Sequence, residues 1–256
     1  MLRLLIQKFV WGACVLLVVV QVVAEGLRLP VPSVPVEEEG TPGPEEELLK
    51  EPVYDPEKLE AFYNTRSVVP HRLKAEAERA NELVRAGELV KAGEIYERIR
   101  DEYPESLFAL SNLAVVRFRL QRFEEAAALL ETALKNAPDD AFSHSVLGIC
   151  YYQLGKLDEA VKALNRSISL DPGDARTRNY MGIVSSKKGW WRAAEDECRR
   201  AIELDPSLSD GYYNLATIYA FRPSPDLSLA RTFYAKALKA GHRAESQFEE
   251  MIGFER

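Results

Sequence analysis

Residues 141–174 read AFSHSVLGICYYQLGKLDEAVKALNRSISLDPGD, and the small residues in that stretch decide the architecture of the chain. Gly148 and Ala160 flank a turn signal at Gly155, and Pro172 closes the segment. Moving outward in steps of 34 residues, Ala160 is matched by Ala92, Ala126 and Ala194, and Pro172 by Pro104, Pro138 and Pro206. A fixed period of this length marks stacked supersecondary units, each burying its apolar face on its neighbours.

With the closing proline numbered 32, position 8 reads Ala80, Ala114, Gly148, Gly182 and Ala216. Position 20 is alanine throughout, ending with Ala230 after a two-residue insertion. The two positions fall on successive helices, and small side chains at both let those helices approach closely. A leucine there would overpack the pair by roughly 1 to 3 kcal/mol. Position 27 (Ala133, Ser167, Ala201, Ala237, with Ile99 the exception) serves likewise where the second helix meets the following unit. Each proline ends its helix, because it lacks an N–H and pushes the preceding residue out of helical geometry.

Leu147-Gly148, Tyr151, Gly155, Leu157, Ala160, Leu164 and Asp171-Pro172 together resemble the tetratricopeptide repeat (TPR) signature over about residues 73–244. The resemblance implies an all-α, right-handed superhelical solenoid of five helical hairpins at 73–106, 107–140, 141–174, 175–208 and 209–244. The chain departs from the family pattern at Arg79, where an apolar residue is usual, and at position 4, where His144 and Arg178 replace an aromatic. Gly87, Gly155 and Gly189 mark turns within units, and the fifth unit's turn, Arg222 to Asp226, is two residues longer. Residues 245–256 read as a short capping helix with Phe248, Met251 and Ile252 on one face.

The array is preceded by two segments of different composition. Residues 1–24 carry Arg3 and Lys8 and then an apolar run from Phe9 to Ala24. That is a signal peptide cut after Ala24 or an uncleaved membrane anchor, and in either case Glu25 onward is exported, to the periplasm or another extracytoplasmic space. Residues 25–72 form a Pro/Glu-rich flexible linker. Its first part, 25–55, alternates prolines with Glu37-Glu38-Glu39 and Glu45-Glu46-Glu47, and buries too little apolar surface to order itself. That part is a solvated spacer or an acidic docking tail.

The formal net charge of −7 argues against a nucleic-acid partner, since phosphate binding needs clustered cations. Three cysteines are too few for a disulfide framework, and Cys150 and Cys198 are expected free and buried. His71, His144 and His242 have no zinc-ligand spacing, and no phosphate loop, nucleophile elbow or dinucleotide fingerprint occurs, so neither cofactor nor metal nor catalysis is expected. Trp191 is expected in the core and Trp190 half exposed beside it.

In the family that the chain resembles, the first helix of each unit lines a concave groove. Carried onto this sequence, its groove positions are Phe108, Ser111, Val115, Phe118 and Arg119, then Phe142, Ile149 and Tyr152, then Arg176, Asn179 and Lys187, then Tyr213 and Phe221. Aromatic anchors followed by cations suit a protein or peptide ligand with apolar side chains and a carboxylate. The expected function is therefore a non-catalytic scaffold that binds an extended segment. The alternative is a structural subunit of a cell-envelope complex, joined through its convex face or its ends.

Overall fold

The computed structural model describes residues 73–255; the signal or anchor expected at 1–24 and the linker expected at 25–72 lie outside the described residues. Among the described residues the regular structure is entirely helical. The helices are α1 (Lys74–Arg85), α2 (Leu89–Glu102), α3 (Leu107–Arg119), α4 (Phe123–Asn136), α5 (Ala141–Gln153), α6 (Leu157–Leu170), α7 (Ala175–Lys187), α8 (Trp191–Leu204), α9 (Ser209–Phe221), α10 (Leu227–Lys239) and α11 (Ser246–Ile252). They pair as five antiparallel hairpins, each second helix also packing on the next unit's first helix. The result is the right-handed superhelical solenoid that the 34-residue ladder implies.

The small positions do what their size suggests. Every alanine of position 20 is fully buried, and so are Ala80, Ala114 and Ala216 at position 8. A methyl group added at Gly148 would stand 2.6 Å from Leu164 Cγ, and one at Gly182 would stand 2.3 Å from Cys198 Sγ and 3.1 Å from the Ala194 carbonyl oxygen. The residue that fills the space over position 8 is therefore position 24: Tyr96, Leu130, Leu164, Cys198 and Tyr234, each with no exposed surface. Both cysteines are free and buried; burial pushes the Cys150 thiol up to about 12.

Helix ends follow local chemistry. Ser106, Asp140 and Asp174, each two residues past the closing proline, accept from the backbone N–H of Ala109, Ser143 and Arg176 and so cap α3, α5 and α7. Before Pro104, Pro138, Pro172 and Pro206 the backbone of Tyr103, Ala137, Asp171 and Asp205 has already left helical geometry. Gly87, Gly155 and Gly189 end first helices with positive φ. In the second unit that role falls to Gln121, at φ 58°, a conformation in which an L side chain crowds its own carbonyl.

The two departures at position 4 share one function. His144 Nε2 lies 2.9 Å from the Pro138 carbonyl oxygen, and Arg178 Nε donates to that of Pro172 at 3.2 Å. Each side chain thus reaches back to the proline that closed the preceding unit, a tie that a phenyl ring, with no polar atom, could not make. Arg79, the other departure, is exposed.

The stack ends on α11. Phe248 and Ile252 are buried against α10, and Tyr234, Tyr213 and Phe254 surround Phe248 and its neighbours in a ring cluster. Met251, expected on the same face, is instead 43% exposed. Three residues from Phe248 and one from Ile252, its position on so short a helix carries it past the edge of α10.

Candidate functional site: the inner layer of first helices

Helices α3, α5, α7 and α9 touch one another in succession as well as touching their own partners. First helices therefore occupy the tighter, inner side of the curve, and their outward-pointing residues form the surface on which a ligand could lie.

Of the residues expected to line that surface, Phe108, Ser111, Val115, Phe118, Ile149, Asn179 and Tyr213 are buried within the protein. They hold the array together. Phe108 packs edge-on against Tyr96, and Phe118 against Phe123, with ring centroids 5.9 and 5.4 Å apart. Ser111, Asn179 and Tyr213 share position 5, and each hydrogen-bonds forward to the next structural layer. Ser111 Oγ lies 3.0 Å from Ser143 Oγ, and Ser145, also at position 5, lies 2.6 Å from Thr177 Oγ1. Asn214 donates to Asn179 Oδ1 at 2.9 Å, and Tyr213 donates to Glu245 at 2.6 Å. A buried polar seam thus runs along the inner helices, and satisfying these groups in pairs is what makes their burial tolerable. Where the seam would meet position 3 of the fifth unit stands Gly211, because a methyl there would be 2.6 Å from Ile202 Cγ2; Asn179 reaches Asn214 instead.

The remaining six stay accessible in whole or part. Arg119, Phe142, Tyr152 and Arg176 are half-buried, Lys187 is exposed, and Phe221 is 56% exposed. Arg119 donates to the Val84 carbonyl at 2.9 Å, tying α3 to α1. Burial raises the Tyr152 pKa, and partial loss of hydration lowers that of Lys187. Arg117 and Arg178 point the other way and pair with carboxylates of second helices, Arg117 with Glu97 and Glu125, Arg178 with Glu197.

Two further features lie outside that surface. Trp191 is half-buried against the last core cluster, while Trp190 is 47% exposed with Lys188 Nζ 4.6 Å above its ring. At the carboxyl end His242 stacks on Tyr213 at 4.3 Å between Asp210 (3.2 Å) and Glu245 (3.6 Å). Burial alone would lower its pKa, but the hydrogen bond to Asp210 and the negative charges of Asp210 and Glu245 prevail and raise it to about 9. The charged imidazolium is thus a structural tie between α9 and the segment leading into α11. Among the described residues no group of three His, Cys, Asp or Glu is placed to hold a metal ion.

Antiparallel helical hairpins stacked with one layer turned inward define the class of repeat solenoids. A family profile for the tetratricopeptide repeat matches residues 111–175. The fold is similar to that of MamA from Desulfovibrio magneticus RS-1 (TM-score 0.59, 14% identity, 68% of this chain and 97% of that one). It is also similar to TTC0263 from Thermus thermophilus (TM-score 0.58, 22% identity, 70% and 96%) and to YrrB (TM-score 0.53, 21% identity, 73% and 93%). No curated protein sequence matches the chain. Residues 111–175 thus carry tetratricopeptide repeat sequence, and the chain shares the fold of these repeat solenoids.

Proposed function

We propose that this protein is a non-catalytic interaction scaffold that holds an extended protein segment along α5 and α7. The observation that carries the reading is the surviving surface of the inner layer: Phe142 and Tyr152, half-buried and apolar, beside Arg176 and Lys187. Half-buried aromatics give a ligand area to cover at small entropic cost, and the cations select a carboxylate nearby. YrrB, one of the similar structures, is described as a TPR protein with an unusual peptide-binding site, which supports a peptide ligand here.

The test is a peptide-display selection on the intact protein. Enriched peptides should combine aliphatic or aromatic residues with Asp or Glu, and lose at least tenfold in affinity on F142A/Y152A and on K187E. Peptides that bind both variants as well as the parent would refute the reading.

The same proposal places the array outside the cytoplasm, supported by the Arg3/Lys8-flanked apolar run up to Ala24. Protein recovered from its native cells should begin at Glu25 if the run is a signal peptide, or contain residues 9–20 in the membrane fraction if it is an anchor. Recovery of the intact chain from the cytosol alone would contradict export.

A further inference from the structure

Five tyrosines are buried among the described residues: Tyr96, Tyr180, Tyr213, Tyr219 and Tyr234. Four of the hydroxyls donate within the protein, Tyr96 to Asn81, Tyr213 to Glu245, Tyr219 to Glu195 and Tyr234 to Glu249. Tyr180 is the exception. It is only 8% exposed, and among the described residues its hydroxyl has no hydrogen-bond partner, yet the oxygen is not sealed from solvent. Tyr152, half-buried against the same core cluster, likewise has an unpaired hydroxyl among the described residues. Folding normally pairs a phenol that it buries, because an unmade donor costs stability. Two such donors left open at one place are offered to something outside the array.

That place is the inner layer. Tyr180 lies four residues beyond Arg176, three before Ile183 and seven before Lys187, the spacing of one helix face. Helix α7 touches both α5 and α9, and the Tyr180 hydroxyl feels groups of each. Burial first, then the Asp210 carboxylate of α9 and Tyr152 of α5, raise its pKa, while Arg176 opposes them. The hydroxyl therefore keeps its proton and is available as a donor. Tyr180 holds position 6 of its unit, outside the groove positions carried over from the family.

We propose that Tyr180, with Tyr152 beside it, holds the main chain of the bound segment: the Tyr180 hydroxyl donates to a backbone carbonyl oxygen of an extended peptide. The inference rests on the reading of α5 and α7 as a binding surface. A neutral acceptor fits better than a carboxylate, because the Asp210 charge repels an anion at this point and a partly buried site strengthens that repulsion. An extended segment presents a free carbonyl at every residue, whereas a helical one has used its own internally. The contact thus selects the extended form and leaves side-chain preference to Phe142 and its neighbours.

The experiment compares Tyr180→Phe with the parent, using the tightest peptide from the display selection as probe. The substitution removes one oxygen and keeps the ring. Chemical denaturation should show stability equal to or above that of the parent, since no internal bond is lost, whereas affinity for the probe should fall by about fivefold. Single ester-for-amide replacements along the probe weaken one carbonyl acceptor at a time; one of them should cost affinity in the parent and none in Tyr180→Phe. A less stable variant overturns the proposal, because the hydroxyl is then bonded inside the protein. Ester losses that persist undiminished in the variant overturn it as well. Unchanged affinity in Tyr180→Phe, with binding still lost in F142A/Y152A, rejects this contact and leaves the binding surface standing. A selection that yields no peptide, or only peptides indifferent to F142A/Y152A and K187E, rejects both.

Discussion

The middle hairpins and the last one solve the same packing problem with opposite materials. In units three and four, position 8 is glycine and position 24 is Leu164 or Cys198, an approach so close that a single methyl would collide. In unit five the corresponding residues are Ala216 and Tyr234, both fully buried, and the Tyr234 hydroxyl works outward: it accepts from the Glu245 N–H at 2.8 Å and donates to Glu249 at 3.1 Å. An interior unit has a neighbour on each side and can rely on shape alone. Among the described residues the fifth unit packs on a seven-residue helix, and a helix that short needs polar ties to stay in place.

That contrast predicts where the array is brittle. Gly182→Ala should be the most damaging small substitution, costing about 1–3 kcal/mol despite the better helix propensity of alanine. Gly148→Ala should follow closely, since there the collision includes the Leu164 backbone nitrogen at 3.1 Å. Chemical denaturation measures both, and neutral or stabilising outcomes would mean that the middle hairpins are not closely seated.

Tyr234→Phe should cost less, about 1–2 kcal/mol, and the cost should be local. Hydrogen exchange in α11 should rise while that of α5 and α6 stays unchanged. Uniform loosening of the whole array would erase the distinction between its middle and its end.

The His242 tie adds a pH dependence confined to the same end. Because its pKa is raised in the folded protein, its contribution is fully present below about 6.5 and is lost as pH rises through about 9. The Glu245 carboxyl is lowered, despite its burial, by the neighbouring His242 and the hydrogen bond from Tyr213, so its share persists above 4.5 and fades as pH falls through its lowered value. Stability at pH 10 should be lower than at pH 6 by on the order of 1 kcal/mol once solvent screening is allowed for. His242→Gln should flatten the difference; an unchanged profile in that variant would remove His242 from the account.

The smallest expected effect is a gain. Gln121→Gly should stabilise the second unit by about 0.5–1 kcal/mol, because glycine adopts the positive φ without strain and the left-handed cost exceeds the added chain entropy. A loss on thermal denaturation would show that the Gln121 side chain contributes more than its backbone costs.

The ladder of alanines, glycines and prolines made the hairpins readable because within a unit the same residue type answers the same demand every 34 positions. Contacts between units were not readable that way. The seam joins serine to serine, serine to threonine, asparagine to asparagine and tyrosine to glutamate, so the demand recurs while the letters change. That is why Ser111, Asn179 and Tyr213 looked like ligand-facing residues: a polar or aromatic side chain on a first helix carries no mark of whether it faces solvent or the next helix. The same holds for Gln121, whose backbone conformation is imposed by its place in the unit and not by its own preference.

The most direct test of this packing is a double-mutant cycle at Gly182 and Cys198. If helix approach is set by the two together, Gly182→Ala in a Cys198→Ala background should lose at least about 1 kcal/mol less stability than in the parent, since the sulfur it would meet is gone. Strictly additive effects would contradict the claim that these paired positions hold the hairpin at its observed separation.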